Sequence, residues 1–329
     1  MQTLRAPAVC RSIYYVLVLL SGTSVHAQQQ VADPDFDTSV EKPAYSQNGP
    51  LVAIDEGHDN FHTASERYKP FADLLKADGY SVQPATGKLD KGVPSSIKVL
   101  VIANAGSPQA GAVSKPAFTE QECDAIRDWV RNGGSLLLIA DHAPFGLAVE
   151  NLANRFGVSV GKGWVFDRPH GEATITTQLV FSRENGLLGT HPLLRGRDGP
   201  EEVKQIRSFT GQSLGVPEGA TVLMRLSAAA REATSQTALN AAAEEAAKGN
   251  EAGVSNHSVS VACRAQGIAL PFGKGKLVVL GEAAMLSAQI IRLNVDGNER
   301  VIKVGMNVAG YDNMQFALNL LHWLSGLLD

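Results

Sequence analysis

Two short clusters of histidine and carboxylate hold most of the chemistry available to this chain. Asp55, Glu56, His58, Asp59, Asn60 and His62 follow directly on the apolar run Leu51-Val52-Ala53-Ile54. Asp141 and His142 follow the run Ser135-Leu136-Leu137-Leu138-Ile139-Ala140, and Glu282 follows Val278-Val279-Leu280-Gly281. An imidazole oriented by a carboxylate can take a proton from water or a hydroxyl. Imidazoles and carboxylates together also suit Zn²⁺ or a similar ion with one position left open. We therefore take His142, Asp141 and Glu282 as catalytic candidates. Asp55, Glu56, His58, His62 and Asn104 are ligand-binding candidates, and His58, His62 and His142 are metal candidates. A divalent metal is an option rather than a requirement, because no compact motif such as H-E-x-x-H is present. Taken singly, Asp55 or Asp141 reads as the cap of a following helix. His170, His191, His257 and His322 read as packing or turn residues.

The elements that position these groups follow from periodicity. Leu51–Ile54, Val99–Ala103, Leu136–Ala140 and Leu277–Leu280 are apolar throughout, as strands buried on both faces are. Between them, Tyr68, Phe71, Leu74 and Leu75 have helical spacing, as do Cys123, Ile126, Trp129 and Val130. Thr119 with Glu122 forms a capping box that starts the second of these helices. A last helix runs from about Asp312, with Asp312 and Gln315 as its expected cap. Alternating strands and helices predict an α/β fold with a mostly parallel sheet and helices on both faces. In such a sheet ligands bind beyond the carboxyl ends of the strands, where all the candidate groups fall. Ser135–Ala140 is the most apolar run and should be central, with the first strand beside it and Glu282 closing the other side.

The remaining organisation is less regular. About 165–256 reads as a β-rich middle insertion, with strands at Val203–Leu214 and Ala220–Leu226. Ser227–Ala252 is Ala-rich and carries no assigned chemistry. Val259–Leu270 and Lys276–Leu280 read as a hairpin around Phe272-Gly273-Lys274-Gly275. Residues 28–50 are polar and read as a flexible leader, which leaves 51–329 as one domain. Residues 1–27 have the order of an export signal: Arg5 and Arg11, the apolar run Ile13–Leu20, then Val25-His26-Ala27 before a cleavage point at Gln28. That apolar run falls short of the ~20 residues a spanning helix needs. The expected location is periplasmic or secreted, without an integral membrane segment once the signal is removed. Cys123 on a helix and Cys263 on a strand read as two buried, unbonded thiols.

Composition narrows the function classes. Of 329 residues 44% are hydrophobic and 19% charged, with a net charge of −4. That is globular, and it lacks the basic excess of a nucleic-acid binder.

Several segments together resemble a known superfamily. They are Asp55-Glu56-Gly57-His58-Asp59-Asn60-Phe61-His62-Thr63, Arg67 to Leu75, Ile139-Ala140-Asp141-His142-Ala143-Pro144-Phe145-Gly146, Val278 to Ala283, and Asp312-Asn313 through Trp323. They are similar to exported bacterial proteins of the class I glutamine-amidotransferase-like superfamily, near its trehalose-utilisation-like branch. The resemblance covers roughly 51–161 and 259–328 and implies a flavodoxin-like, doubly wound sheet. The amidotransferase nucleophile is a Cys at a tight strand–helix turn. The matching turn here is Ala140-Asp141-His142-Ala143, and the His two places before Glu282 is replaced by Leu280, so glutamine hydrolysis through a thioester is disfavoured. The expectation is a small polar, carbohydrate-like ligand bound, and hydrolysed if the site is catalytic, at the strand-end edge. Phe61, Phe145 or Trp164 would supply its apolar wall. The alternative is a non-catalytic protein-interaction domain with a degenerate site. Oligomeric state is not legible.

Overall fold

The apolar runs become the strands of one seven-stranded sheet. The structure, a computed structural model, describes residues 29–46, 48–106, 115–168, 174–295 and 298–329. The expected signal, its cleavage point after Ala27, and His170 lie outside the described residues. The strands are β1 (Leu51–Asp55), β2 (Ser81–Ala85), β3 (Ile97–Ala103), β4 (Ser135–Ile139), β5 (Thr221–Arg225), β6 (Ala265–Phe272) and β7 (Gly275–Leu280). Their spatial order is β2-β1-β3-β4-β7-β6-β5. The pairings β1/β2, β1/β3, β3/β4 and β4/β7 are parallel, and β7/β6 and β6/β5 are antiparallel, so the sheet is mixed. β4 is central, as its apolar sequence requires. β1 is not beside it: β3 lies between, and its terminal Asn104 separates the two histidine clusters.

Seven helices lie among the described residues: α1 (Lys69–Ala77), α2 (Glu120–Arg131), α3 (Phe145–Asn154), α4 (Pro192–Arg195), α5 (Gln236–Ala247), α6 (Glu251–Asn256) and α7 (Asn313–Ser325). Alternation along the strands assigns their faces. Val99, Val101, Leu137 and Ile139 pack with Phe71 and Leu74 of α1 and Phe316 and Leu320 of α7. Leu100, Ile102, Leu136 and Leu138 pack with Ile126 and Val130 of α2 and Val149 and Leu152 of α3. Each fully buried Leu, Ile or Phe contributes about 1.5–3 kcal/mol. Helices therefore cover both faces and leave the carboxyl ends of β1, β3, β4 and β7 at one edge.

The ends of the helices show where local signals hold. α2 starts with the expected capping box: the Glu122 amide donates to Thr119 Oγ1 at 3.2 Å, and the Glu122 carboxylate accepts from the Thr119 amide at 2.9 Å. α7 departs from expectation. Asp312 accepts instead from the amides of Lys204 and Gln205, and Gln315 donates to Asn319, so the Asp312 carboxylate serves a distant loop and makes no cap bond to α7.

The middle of the chain is not a separate β layer. β5 joins the main sheet at its edge. The expected strand Val203–Leu214 shrinks to Gln205–Arg207, paired with Val180–Ser182. Trp164–Phe166, Arg231–Ala233 and Val259–Ser260 form a small three-stranded sheet. The Ala-rich stretch holds α5 and α6, whose Leu239, Ala242, Ala246 and Val254 pack against Phe166 and Ala233. Within the stretch read as a leader, Gln29–Ala32 pairs with Ala288–Val295. Both thiols are free, but Cys263 is exposed, in the turn before β6 with φ +68° rather than on a strand. His322 is more than packing: its Nε2 meets buried Asp78 at 2.7 Å. No helix among the described residues is long and apolar enough to cross a membrane.

Candidate functional site

The β1 end builds a closed ion cluster. His58 Nδ1 lies 2.9 and 3.0 Å from the two oxygens of Asp55, and His58 Nε2 lies 3.0 Å from Glu122 Oε1. An ionised carboxylate only accepts, so a pair of them at the two ring nitrogens favours the imidazolium form of His58, in which both nitrogens donate. Burial opposes that charge, but the hydrogen bond and charge of Asp55 and the bond to Glu122 outweigh it, and the pKa is raised. Glu122 also accepts from the amides of Thr119 and Leu89. Burial alone would raise its pKa; the Thr119, His58 and Leu89 donors bring it down to about 2. All three groups are buried, and Phe118 lies against the His58 ring with centroids 4.1 Å apart. Neither ring nitrogen of His58 has a lone pair left for a metal or a proton. Glu56 serves its own loop, accepting from the Ala64 amide at 2.8 Å.

Asn104 joins His62 to the centre. It ends β3 with φ +49°, a left-handed conformation that Asn tolerates better than most residues. Its Oδ1 accepts from the Asp141 amide at 2.8 Å, and its Nδ2 donates to His62 Nδ1 at 3.2 Å. That contact makes Nδ1 the acceptor and leaves the proton of His62 on Nε2. Burial, with the Arg67 charge second, pulls the His62 pKa down to about 3, so this ring is neutral at ordinary pH.

At the centre, Asp141 and Glu282 end neighbouring strands β4 and β7. Asp141 Oδ1 accepts from the His142 amide at 2.8 Å. Glu282 accepts from the amides of Ala284 and Met285 at 2.7 and 2.8 Å. Burial is the largest influence on both and raises both pKa values. The charge of Asp141 adds to the effect on Glu282, which rises well above the usual carboxylate range despite its amide donors. Tyr68, from the turn before α1, is buried beside them and donates to Ala283 O at 2.8 Å. Burial and then the charges of Glu282 and Asp141 push its phenol up.

His142 differs from His58 and His62. Its Nδ1 donates to the Ala143 carbonyl at 2.8 Å, which leaves the Nε2 lone pair without a partner among the described residues. The ring is half-buried and stacks on Trp164, with centroids 5.2 Å apart and 19° between planes. Trp164 is set by the middle of the chain: the Gly163 amide donates to buried Glu232 at 3.0 Å, and Gly163 O accepts from Ala143 N at 3.2 Å. Gly146 permits the approach from the other side. A Cβ there would lie 2.1 Å from both Gln212 Oε1 and Gly161 O. Gln212 in turn donates to Ala140 O at 2.8 Å.

Of the predicted site residues, the structure links Asn104, His62, Asp141, His142 and Glu282 through contacts or mutual charge. It withdraws Asp55 and His58 into a separate salt cluster and gives Glu56 a loop-capping role. The three candidate metal histidines do not form a donor set: both nitrogens of His58 and Nδ1 of His62 are occupied. Among the described residues no group of three His, Cys, Asp or Glu is placed to hold an ion. Glu122, Tyr68, Arg67 and Glu232 were missed as site-building residues. Only Glu122 carried a sequence signal, its capping box, and that signal pointed to a helix end.

A family model described as "Domain of unknown function (DUF4350)" matches residues 60–291. Comparison with curated proteins gives no match. Among solved structures, the mmIFT52 N-terminal domain is 13% identical, with 83% of this chain and 97% of that one covered and a TM-score of 0.54. A ThuA-like protein of Bacteroides uniformis is a neighbour at 12% identity, 87% and 93% coverage and a TM-score of 0.40. A cytoplasmic protein of Salmonella typhimurium shares 12% identity, with 84% and 98% coverage and a TM-score of 0.44. At these identities the first likeness is one of fold alone.

Proposed function

The chain belongs to the DUF4350 family, and from that premise we propose that it is an exported protein binding a small polar, carbohydrate-like ligand beyond the carboxyl ends of β3, β4 and β7. We read the fold as amidotransferase-like and flavodoxin-like, because the parallel strands taken in chain order run 2-1-3-4-5 with helices on both faces. The observation that carries the ligand reading is His142. One ring nitrogen is tied to the chain, the other has no partner among the described residues, and the ring lies on Trp164 next to Asp141, whose carboxyl is raised by burial and whose charge acts on Glu282. An open Nε2 can accept a hydroxyl or water proton, and a protonated carboxyl can return one. The same groups can therefore bind a polyol by hydrogen bonds and hydrolyse a bond in it. With His58 and His62 committed elsewhere, this reading needs no metal, so chelator should leave activity unchanged. The second reading, a non-catalytic interaction domain, draws on the locked Asp55–His58–Glu122 cluster, which turns half of the crevice into scaffold.

The test is a panel of sugars, glycosides and esters against the purified protein, followed by calorimetry and by turnover with and without chelator. A hit weakened by His142→Ala supports the reading, and a panel without hits favours the interaction domain. Export is tested by N-terminal sequencing of protein recovered from a secreting host. We expect Gln28 as the first residue, and an intact Met1 in the exported fraction contradicts it.

A further inference from the structure

We infer that the ligand of this crevice carries an anionic group, a carboxylate or a phosphate, held by the guanidinium of Arg67. The inference rests on the ligand-binding reading of the same site and narrows its chemistry. Arg67 lies in the β1–α1 connection and so leaves from the site edge. Its guanidinium carbon sits 3.8 Å from the centroid of the Phe61 ring. Among the described residues its one hydrogen bond is long, NH1 to Phe61 O at 3.5 Å, and its buried Nε has no partner. Arg127, Arg155, Arg168 and Arg197 each meet a carboxylate within hydrogen-bond range, whereas Arg67 has no ion pair among the described residues. Nε is shut off from solvent, so a ligand would be met by the terminal nitrogens of the guanidinium, of which NH2 has no hydrogen bond among the described residues. The planar fork of a guanidinium matches the two oxygens of a carboxylate or phosphate.

The surroundings fit that group. Rings run without a break from Arg67 to the open histidine: Phe61 to Phe145 at 5.9 Å, Phe145 to His142 at 6.4 Å, His142 to Trp164 at 5.2 Å. A ligand seated with its anion on Arg67 and its body along these rings brings a hydroxyl toward His142 Nε2. Repulsion is muted on the way, since burial disfavours the charged forms of Asp141 and Glu282. A neutral polyol alone would leave the guanidinium unused.

The experiment is calorimetric titration of the full chain, and of its Arg67→Ala, Arg67→Lys and His142→Ala variants, with glucuronate, glucose 6-phosphate and glucose. We expect the wild type to bind one or both anions at least ~10-fold more tightly than glucose. Arg67→Ala should weaken the anions by ~10–100-fold, as for a charged hydrogen bond, and leave glucose unchanged. Arg67→Lys should recover part of that loss. The order of glucuronate and glucose 6-phosphate distinguishes carboxylate from phosphate. Glucose binding as tightly as both anions, or Arg67→Ala weakening all three alike, overturns the inference. In that case glucose binding that depends on His142 leaves the ligand reading standing, whereas no binding by any probe contradicts both. If Arg67→Ala does not fold, the wild-type ratio of anion to glucose affinity and the Arg67→Lys variant decide.

Discussion

The carboxyl edge of the sheet contains the same pair of residue types twice, and the two copies do different work. At β1, Asp55 and His58 close on each other and on Glu122, and all three are buried. At β4, Asp141 accepts the backbone amide of His142, not its ring, and the imidazole turns away to its neighbour's carbonyl and to Trp164. The difference lies in what arrives from elsewhere in the chain. A second carboxylate, 64 positions along, reaches His58 and uses its remaining nitrogen. An aromatic face reaches His142 and leaves its nitrogen open. A histidine beside an acid at a strand end is therefore an ambiguous sign, and its third partner decides between scaffold and site.

The comparison is broken most strongly at the closed end. His58→Ala leaves Asp55 and Glu122 buried without their cation. Removing one partner of a buried charge cluster typically costs about 3–5 kcal/mol. Urea denaturation should show a loss of that size, and a loss below about 1 kcal/mol would mean that the cluster is solvated and not structural.

Stability against pH sharpens the contrast between the ends. The folded pKa of His58 is raised, so its contribution is complete below the unfolded value of about 6.5 and is lost as pH rises through the folded value. Glu282 is raised too. Above an unfolded value of about 4.3, the folded chain keeps a proton that the unfolded chain has released, and stability again falls as pH rises. Glu122 acts in the opposite sense: it stabilises above about 4.3, and that gain is lost as pH falls toward about 2. Stability should therefore peak in mildly acidic solution. Glu282→Gln should flatten the decline on the alkaline side while leaving the acid limb in place. Urea midpoints across pH for both proteins check this, and an unchanged alkaline limb would show that Glu282 is ionised in the folded chain. The smallest effect is expected at Glu56. Glu56→Ala removes one loop hydrogen bond, worth about 1 kcal/mol, and should leave ligand binding unchanged by calorimetry.

What could be read in advance follows the same division. Apolar runs and helical spacing announced β1, β3, β4 and β7 and helices α1, α2 and α7, because burial on both faces leaves a dense periodic signal. The edge carrying the polar groups followed from chain direction. In the middle only Ala220–Leu226 was legible, as β5, because strands of three residues, such as Trp164–Phe166, are too short to show alternation. The locked state of His58 was illegible for another reason: Glu122 already had a complete local explanation as a capping residue, and nothing near it in sequence points to His58. Arg67 enters the sequence only as the start of the run Arg67 to Leu75, with no ligand role, since only the folded chain lays it on Phe61.

The central claim is that His142 belongs to a site and His58 to the scaffold. It is tested most directly by His142→Ala, measured by thermal melting and by binding or turnover of a ligand found in the panel. The account predicts a melting temperature close to that of the parent protein, with binding lost or turnover down by about 10²–10⁴-fold if Nε2 acts as a base. A variant that melts far lower yet keeps full binding would make His142 a structural residue like His58 and contradict the assignment.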